Sequence, residues 1–345
     1  MSRPGHVVLA LSGGNALGAY QAGALEVLCE RGIVPDRIVG TSVGAITGAI
    51  FAGNAPEDRM ARLVDFWRLA EQHDLLPLHG GGSSPWESRA RWAGGIGTLL
   101  GGRPGLFVPS ALAEWPFWRS PIGLMDSSPL RDTLPCLLDF TLLNAARPPL
   151  AVVALNVETG EEVVFDTRRD AFTEDHLRAS AAMPVLFPPV EIGGRHLVDG
   201  GLSSNLPLRL AFEELPEGPV LCIALELLPA ASRRPGSLGE AAQRAQDLVF
   251  ACQTRHALEA LRREYALRRD AGAEGGPAVT LLHLAYDGGP REIAVKPLDF
   301  TRTAIRDRWC HGRDDMTRAL DRWQAAVPEP GVYEITLVGM EPGSR

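Results

Sequence analysis

The sequence predicts an α/β fold, with a mainly parallel central sheet and helices on both sides. Three observations carry this. The first seventy residues alternate short apolar runs with helical periodicity. The first two runs end in glycine-framed turns that open onto helices. Two further buried runs, residues 150–157 and 220–227, recur far downstream. At 345 residues, 45% hydrophobic, the chain can bury one large core or two smaller ones.

The elements follow in order. Residues 7–11, Val-Val-Leu-Ala-Leu, read as a buried strand. Residues 16–31 carry a helical pattern through Ala16, Tyr20, Ala24, Val27 and Leu28, with Gly32 as the stop. Residues 37–40 form a second short strand. Residues 43–51 form a helix of small and apolar side chains, closed by Gly53-Asn54. Residues 55–71 form another, with Met60, Leu63, Val64 and Trp67 on its apolar face. From 73 to 126 the composition turns to Gly, Pro, Ser and Trp, and the segment reads as a lid-like insertion. A strand at 150–157, a turn at Thr159-Gly160 and a partner strand at 162–166 make a hairpin. A short helix at 177–183 is broken by Pro184. A strand pair over 191–198 turns at Gly193-Gly194 and leads into Asp199-Gly200-Gly201. Beyond the strand at 220–227, a long polar helix over 237–269, a strand at 279–286, a helix over 301–327 and a closing strand at 332–338 complete the chain. The boundary falls near residue 230. Residues 1–230 read as the main α/β part, and 231–345 as a C-terminal region, either a separate small domain or elements packed on or extending the main part.

Composition excludes several functions. A net charge of −8 argues against a nucleic-acid binder. Lys296 is the only lysine, so the positive charge is nearly all arginine. Five cysteines (Cys29, Cys136, Cys222, Cys252, Cys310) lack metal or CxxC spacing and read as reduced thiols. No metal or other cofactor is expected. The first apolar run is too short for a signal peptide, and no run reaches the roughly 20 apolar residues of a membrane span. The expected location is the cytoplasm, with the membrane periphery as the second option.

The chemistry lies in two turns. Gly40-Thr41-Ser42-Val43-Gly44 matches G-x-S-x-G, a strand-turn-helix that presents a serine on a strained turn. Its flanking strand and small-residue helix supply the right context, and Gly40 and Gly44 let the backbone pass close to its neighbours. Ser12-Gly13-Gly14-Asn15-Ala16-Leu17-Gly18 can offer backbone N–H groups to a developing oxyanion. A competing reading, a dinucleotide loop, is weakened by Asn15 at the middle glycine position and by a second strand that runs into the Ser42 turn. Ser42 needs a base. His256, His283 and His311 lie in the polar tail. His196 is close to Asp199 in sequence, but strand alternation points the two apart. Asp199 ends a strand and projects its carboxylate at the following Gly200-Gly201 turn; an ordinary Asp-Gly hairpin is the alternative there.

These residues resemble the patatin-like phospholipase family. The resemblance rests on residues 9–25, the Gly40–Gly44 elbow, Ala179-Ser180-Ala181-Ala182-Met183-Pro184 with Phe187-Pro188-Pro189, and Asp199-Gly200-Gly201, in the family's order. Residues 13–67 and about 236–320 are similar to a bacterial subgroup with an extra C-terminal region. The resemblance implies a three-layer α/β/α fold and a Ser-Asp dyad without histidine. Ser42 is then the nucleophile and Asp199 the base, with backbone amides of Gly13, Gly14, Asn15 and Val43 as the oxyanion hole. Gly18, Gly40, Gly44, Gly200 and Gly201 support the motifs. Two departures stand out: Asn15 replaces a glycine, and Leu17 stands where many members carry a basic residue.

The expected reaction is hydrolysis of acyl-lipid esters through an acyl-enzyme, with no nucleic-acid partner. A free Asp, with a pKa of about 3.9, is a weak base at neutral pH, so the site must raise it by burial or rely on oxyanion stabilisation. A soluble-ester hydrolase or acyltransferase using the same dyad, and a silent lipid-binding protein, are the alternatives. The insertion is expected to form the acyl-chain entrance and to touch lipid aggregates. It carries Trp86, Trp92, Trp115 and Trp118, with Leu99, Leu100, Leu106 and Phe107 between them, and Arg89, Arg91 and Arg103 to meet anionic head groups. Packing of these aromatics onto the core is the plain alternative.

Overall fold

The computed structural model describes residues 5–72, 85–110, 122–232, 234–273, 275–288, 292, 296–326 and 331–339. The apolar run after Gly5 forms β1 (His6–Leu11), and a 3-10 turn over Asn15–Gly18 leads into α1 (Ala19–Glu30). Then come β2 (Arg37–Thr41), α2 (Val43–Ala52) and α3 (Arg59–Ala70). The expected helix over 16–31 thus begins as a tighter turn. The one over 55–71 begins four residues late, after a turn at 56–58.

Of the insertion, α4 (Pro85–Gly101) and the two-residue strands β3 (Val108–Pro109) and β4 (Met125–Asp126) are described. Two short helices follow, α5 (Leu130–Leu137) and α6 (Phe140–Asn144), where the sequence reading assigned no element. The hairpin is β5 (Leu150–Asn156) with β6 (Glu162–Asp166). Next is α7 (Glu174–Ser180), three residues earlier than expected because Thr173 opens it with a capping box shared with His176. The chain continues through β7 (Val190–Ile192), β8 (Arg195–Asp199), α8 (Gly201–Ser204), α9 (Leu208–Ala211) and β9 (Gly218–Glu226). It closes with α10 (Leu238–Asp270), β10 (Pro277–Ala285), α11 (Arg302–Ala326) and β11 (Glu334–Gly339).

β3 and β4 pair with each other, and the other strands form one sheet in the order β11-β10-β9-β1-β2-β5-β8-β7, with β6 also paired to β5. From β11 to β5 every pairing is parallel. Those of β6, β7 and β8 are antiparallel. Strand alternation divides the core into two layers. Val7, Leu9 and Leu11 of β1 join one cluster with α1, α2 and α3; Val8 and Ala10 join the other, with Leu208, Leu210, Leu261 and Tyr265. This is the α/β fold the sequence predicts. β10 and β11 lie in this same sheet, and α11 packs along α1, where the Tyr20 hydroxyl donates to Asp315 (2.9 Å) and the Trp309 indole to Glu26 (2.6 Å).

One feature of the sheet decides the site. β2 and β8 meet the same edge of β5, end to end, while β6 occupies the other edge. Thr41 stands opposite Val153, and Asp199 opposite the next residue, Ala154. The end of the elbow strand and the end of the aspartate strand therefore abut.

Candidate active site

Ser42 sits between β2 and α2 at φ 57°, ψ −125°, a conformation that strains a non-glycine residue by roughly 1–3 kcal/mol. The turn is held from below. Ser42 donates its N–H to Ser180 Oγ (3.0 Å), and the Ser180 hydroxyl donates to the Val153 carbonyl (2.6 Å) at the junction of β2 and β8. Gly44 lies against β1, where an added Cβ would stand 2.4 Å from the Leu11 carbonyl oxygen. That close approach is what the second glycine of the elbow provides.

Asp199 ends β8 and is 1% exposed. Its Oδ1 accepts the Gly201 N–H (2.7 Å), and the Ser42 side chain lies near enough to act on the same carboxylate. Burial pushes its pKa up to about 7, against the lowering effect of the Gly201 N–H and of the Ser42 side chain. The expected Asp-Gly turn is thus the start of α8 rather than a hairpin. Ser42 and Asp199 are together because β5 lines up the two strand ends.

The first glycine turn lies beside them. The Gly13 N–H, expected among the oxyanion donors, instead donates to the Asn205 carbonyl (3.1 Å). An N–H already aimed at a backbone carbonyl is not free for an oxyanion. Among the described residues no acceptor meets the N–H groups of Gly14, Asn15 or Val43, the last at the N-terminus of α2. Asn15 has φ 53°, in the left-handed region that Asn tolerates better than most side chains, so this departure from glycine fits the turn. Leu17 is fully buried. Arg308 of α11 reaches this turn and donates to the Ala16 carbonyl (3.2 Å).

Ser42, Asp199 and the Gly13–Asn15 turn line one cavity of about 230 Å³. Its walls are mostly apolar: Ile46, Phe66, Trp67, Leu106, Phe107, Met183, Leu186 and Phe187. The far side comes from the C-terminal region, through Gln243, Gln246, Phe250, Leu298 and Phe300. None of the histidines weighed as bases lines it. His196 is exposed and pairs with Glu158 (2.7 Å), His283 pairs with Glu226 (2.8 Å), His256 is exposed, and the His311 ring stands against Tyr286.

Within the insertion the outcome is divided. Leu106 and Phe107 are buried cavity wall. Trp92 is 51% and Leu100 75% exposed. Arg91 is not available to head groups. It is buried and paired with Asp299 (2.6 Å) and Glu292 (3.4 Å), next to Arg308, which binds Glu292 through Nε (3.0 Å) and Nη2 (3.1 Å). Although burial opposes it, the two guanidinium groups hold the Glu292 carboxyl down at about 2. Arg103 is also buried, donating to Thr98 (3.0 Å). Both arginines point into the fold, Arg91 onto carboxylates and Arg103 onto a hydroxyl. Trp115 and Trp118, and the side chains of Trp86 and Arg89, lie outside the described residues.

Sequence reasoning missed the supporting roles of Ser180, Asn205 and Gln253. Ser180 lies in a block the sequence reading quoted, but only its position under the elbow shows what it holds.

A family model described as patatin-like phospholipase matches residues 9–212. The chain belongs to the patatin-like phospholipase family. A second model, described as patatin phospholipase, matches residues 240–330, which include the C-terminal wall of the cavity. An uncharacterized NTE family protein of Mycobacterium tuberculosis is 28% identical over 67% of this chain and 34% of its own length. The lysophospholipase NTE1 of Kluyveromyces lactis is 28% identical over 68% of this chain and 13% of its own. The chain thus spans about a third or less of these two relatives. VipD from Legionella pneumophila, a solved structure, aligns with a TM-score of 0.41 at 18% identity, covering 92% of this chain and 66% of that one. Among the described residues no helix is long and apolar enough to cross a membrane.

Proposed function

We propose that this protein is a serine acyl-ester hydrolase of lipase or phospholipase A type, acting on acyl lipids through a Ser42–Asp199 dyad. The observation that carries the reading is Ser42, on its strained turn, beside a buried Asp199 at the wall of an apolar cavity. Family membership and a relative named as a lysophospholipase support the substrate class.

The reaction has two halves. Ser42 Oγ attacks the ester carbonyl carbon as its proton passes to Asp199. Negative charge moves onto the carbonyl oxygen, which the N–H groups of Gly14, Asn15 and Val43 receive. The N-terminus of α2 adds its positive dipole end. The tetrahedral intermediate collapses, the bond to the leaving alkoxide breaks, and Asp199 returns its proton to that oxygen. Water then attacks the acyl-enzyme, giving a proton to Asp199, and Ser42 leaves with that proton as the fatty acid is released. A carboxylate raised to about 7 is a competent base at neutral pH, where an ordinary one is not. The acyl chain lies along Phe66, Phe107, Met183 and Phe250. Trp92 and Leu100 of the insertion meet the lipid aggregate.

A fluorophosphonate should label Ser42 alone, and Ser42→Ala should lose about 10⁴-fold or more in turnover, as with the nucleophile of other catalytic units. Labelling at a different serine, or undiminished hydrolysis by the variant, refutes the dyad. Hydrolysis of monomeric but not aggregated esters would instead favour the soluble-ester enzyme.

A further inference from the structure

The aspartate turn and the oxyanion turn share a support that comes from outside residues 9–212. Gln253 lies in the middle of α10, half-buried. Its Nε2 donates to the carbonyl oxygens of Gly201 (3.1 Å) and Leu202 (3.2 Å), and its Oε1 accepts the Asn205 N–H (2.9 Å). The side-chain amide thus spends both donors and its acceptor on one backbone segment. That segment is α8, a single turn with Leu202 and Ser203 exposed, so hydrogen bonds rather than burial hold it.

Each end of α8 touches the chemistry. At the start, the Gly201 N–H binds Asp199 Oδ1 (2.7 Å). At the end, Asn205 accepts the Gly13 N–H at its carbonyl (3.1 Å), and its Nδ2 donates to the Gly13 carbonyl (3.4 Å). The Ser204 carbonyl accepts the Thr41 hydroxyl (2.9 Å), next to Ser42. We propose that Gln253 is a positioning residue for the reaction: it clamps α8, and through α8 it sets the Gly201 donor on Asp199 and the Gly13–Gly14 turn beside Ser42. The C-terminal region thereby completes the site.

This inference rests on the Ser42–Asp199 reading, and the test separates the two. Among the described residues no charged side chain from the elbow, β5, α7, α8 or α10 acts on the Asp199 carboxylate. Its environment is burial, the Gly201 N–H and the Ser42 hydroxyl. Loosening Gly201 therefore has one sign: it removes a stabiliser of the charged form and raises the pH at which the base works.

The full chain, Gln253→Leu and Gln253→Glu are compared on p-nitrophenyl butyrate, from about pH 5 to 9 so that the rising limb set by the base is spanned. Active sites are counted by fluorophosphonate titration, so misfolded chains drop out. Gln253→Leu loses all three bonds. Its kcat per titrated site should fall about 10–100-fold, the scale of a misplaced reacting group, with KM little changed. Its pH midpoint should move upward. Gln253→Glu keeps the acceptor for Asn205 but sets carboxylate oxygens against two carbonyls, and its added negative charge should move the midpoint further. Wild-type kcat and midpoint in either titrated variant overturn the proposal. So does loss of fold in both, since a positioning role leaves the core intact. A natively folded variant whose Ser42 no longer titrates supports it. A wild-type chain that neither titrates at Ser42 nor turns over overturns the dyad reading instead.

Discussion

Replacing Asp199 by Asn should abolish activity and stabilise the protein at the same time. The carboxyl is buried, and its pKa stands at about 7 against an ordinary 3.8. An acid with a raised pKa favours the protonated folded state. Between pH 3.8 and about 7 the folded chain holds a proton that the unfolded chain has lost. Stability therefore falls as pH rises through that window and is level above it. At about 1.36 kcal/mol per pH unit, the raised pKa of Asp199 costs the fold roughly 1–2 kcal/mol at pH 5, where the folded chain keeps the proton, and about 4 kcal/mol at pH 8, where the carboxylate is ionised in place. Asn has nearly the same shape, keeps an oxygen for the Gly201 N–H, and does not titrate. The variant's advantage over wild type should grow by about 2–3 kcal/mol between pH 5 and pH 8. For 345 residues at about 2.1 cal/mol/K each, that is about 3–4 °C in Tm. Thermal melts by circular dichroism at the two pH values measure it, and the difference cancels every other titrating group. Turnover should fall by about 10²–10⁴, the usual worth of a general base. The wild-type kcat/KM should rise with pH through a midpoint near 7. A variant whose stability difference is the same at pH 5 and pH 8, or which retains turnover, refutes the buried-base argument.

Two further sets of substitutions test the oxyanion turn and the exposed face of α4. Asn15→Gly should keep wild-type turnover, because glycine takes φ 53° freely and its N–H remains; Asn15→Val, β-branched at a positive φ, should lose turnover by about 10²-fold or more as the oxyanion turn distorts. Equal rates for the two on a soluble ester would remove this turn from the reaction. Trp92→Ala with Leu100→Ala should weaken co-sedimentation with anionic vesicles and slow hydrolysis of aggregated lipid while leaving p-nitrophenyl butyrate turnover unchanged. Full vesicle binding by that double variant would assign the exposed face of α4 no part in lipid contact.

Local features were legible in the sequence because their causes are local. A glycine on either side of Ser42 announces a strained turn, since only glycine fits where, as at Gly44, an added Cβ would stand 2.4 Å from the Leu11 carbonyl oxygen. Apolar runs such as Val-Val-Leu-Ala-Leu announce a strand buried on both faces, and the small-residue stretch after Ser42 announces a helix packed against it. Asp199 could be singled out by its place at a strand end, and His196 set aside by strand alternation. What the sequence could not supply was any pairing between distant segments. Tertiary structure brought Ser42 to Asp199, because β2 and β8 share one edge of β5 in adjacent register. It buried the carboxylate and so raised its pKa, and it spent the Gly13 N–H on Asn205. It also turned Arg91 and Arg103 inward and tied Ser180 and Gln253 to the Ser42 and Asp199 turns. A side chain's hydrogen bonds and desolvation depend on which neighbours the fold delivers, and a linear pattern of residue types does not contain that information.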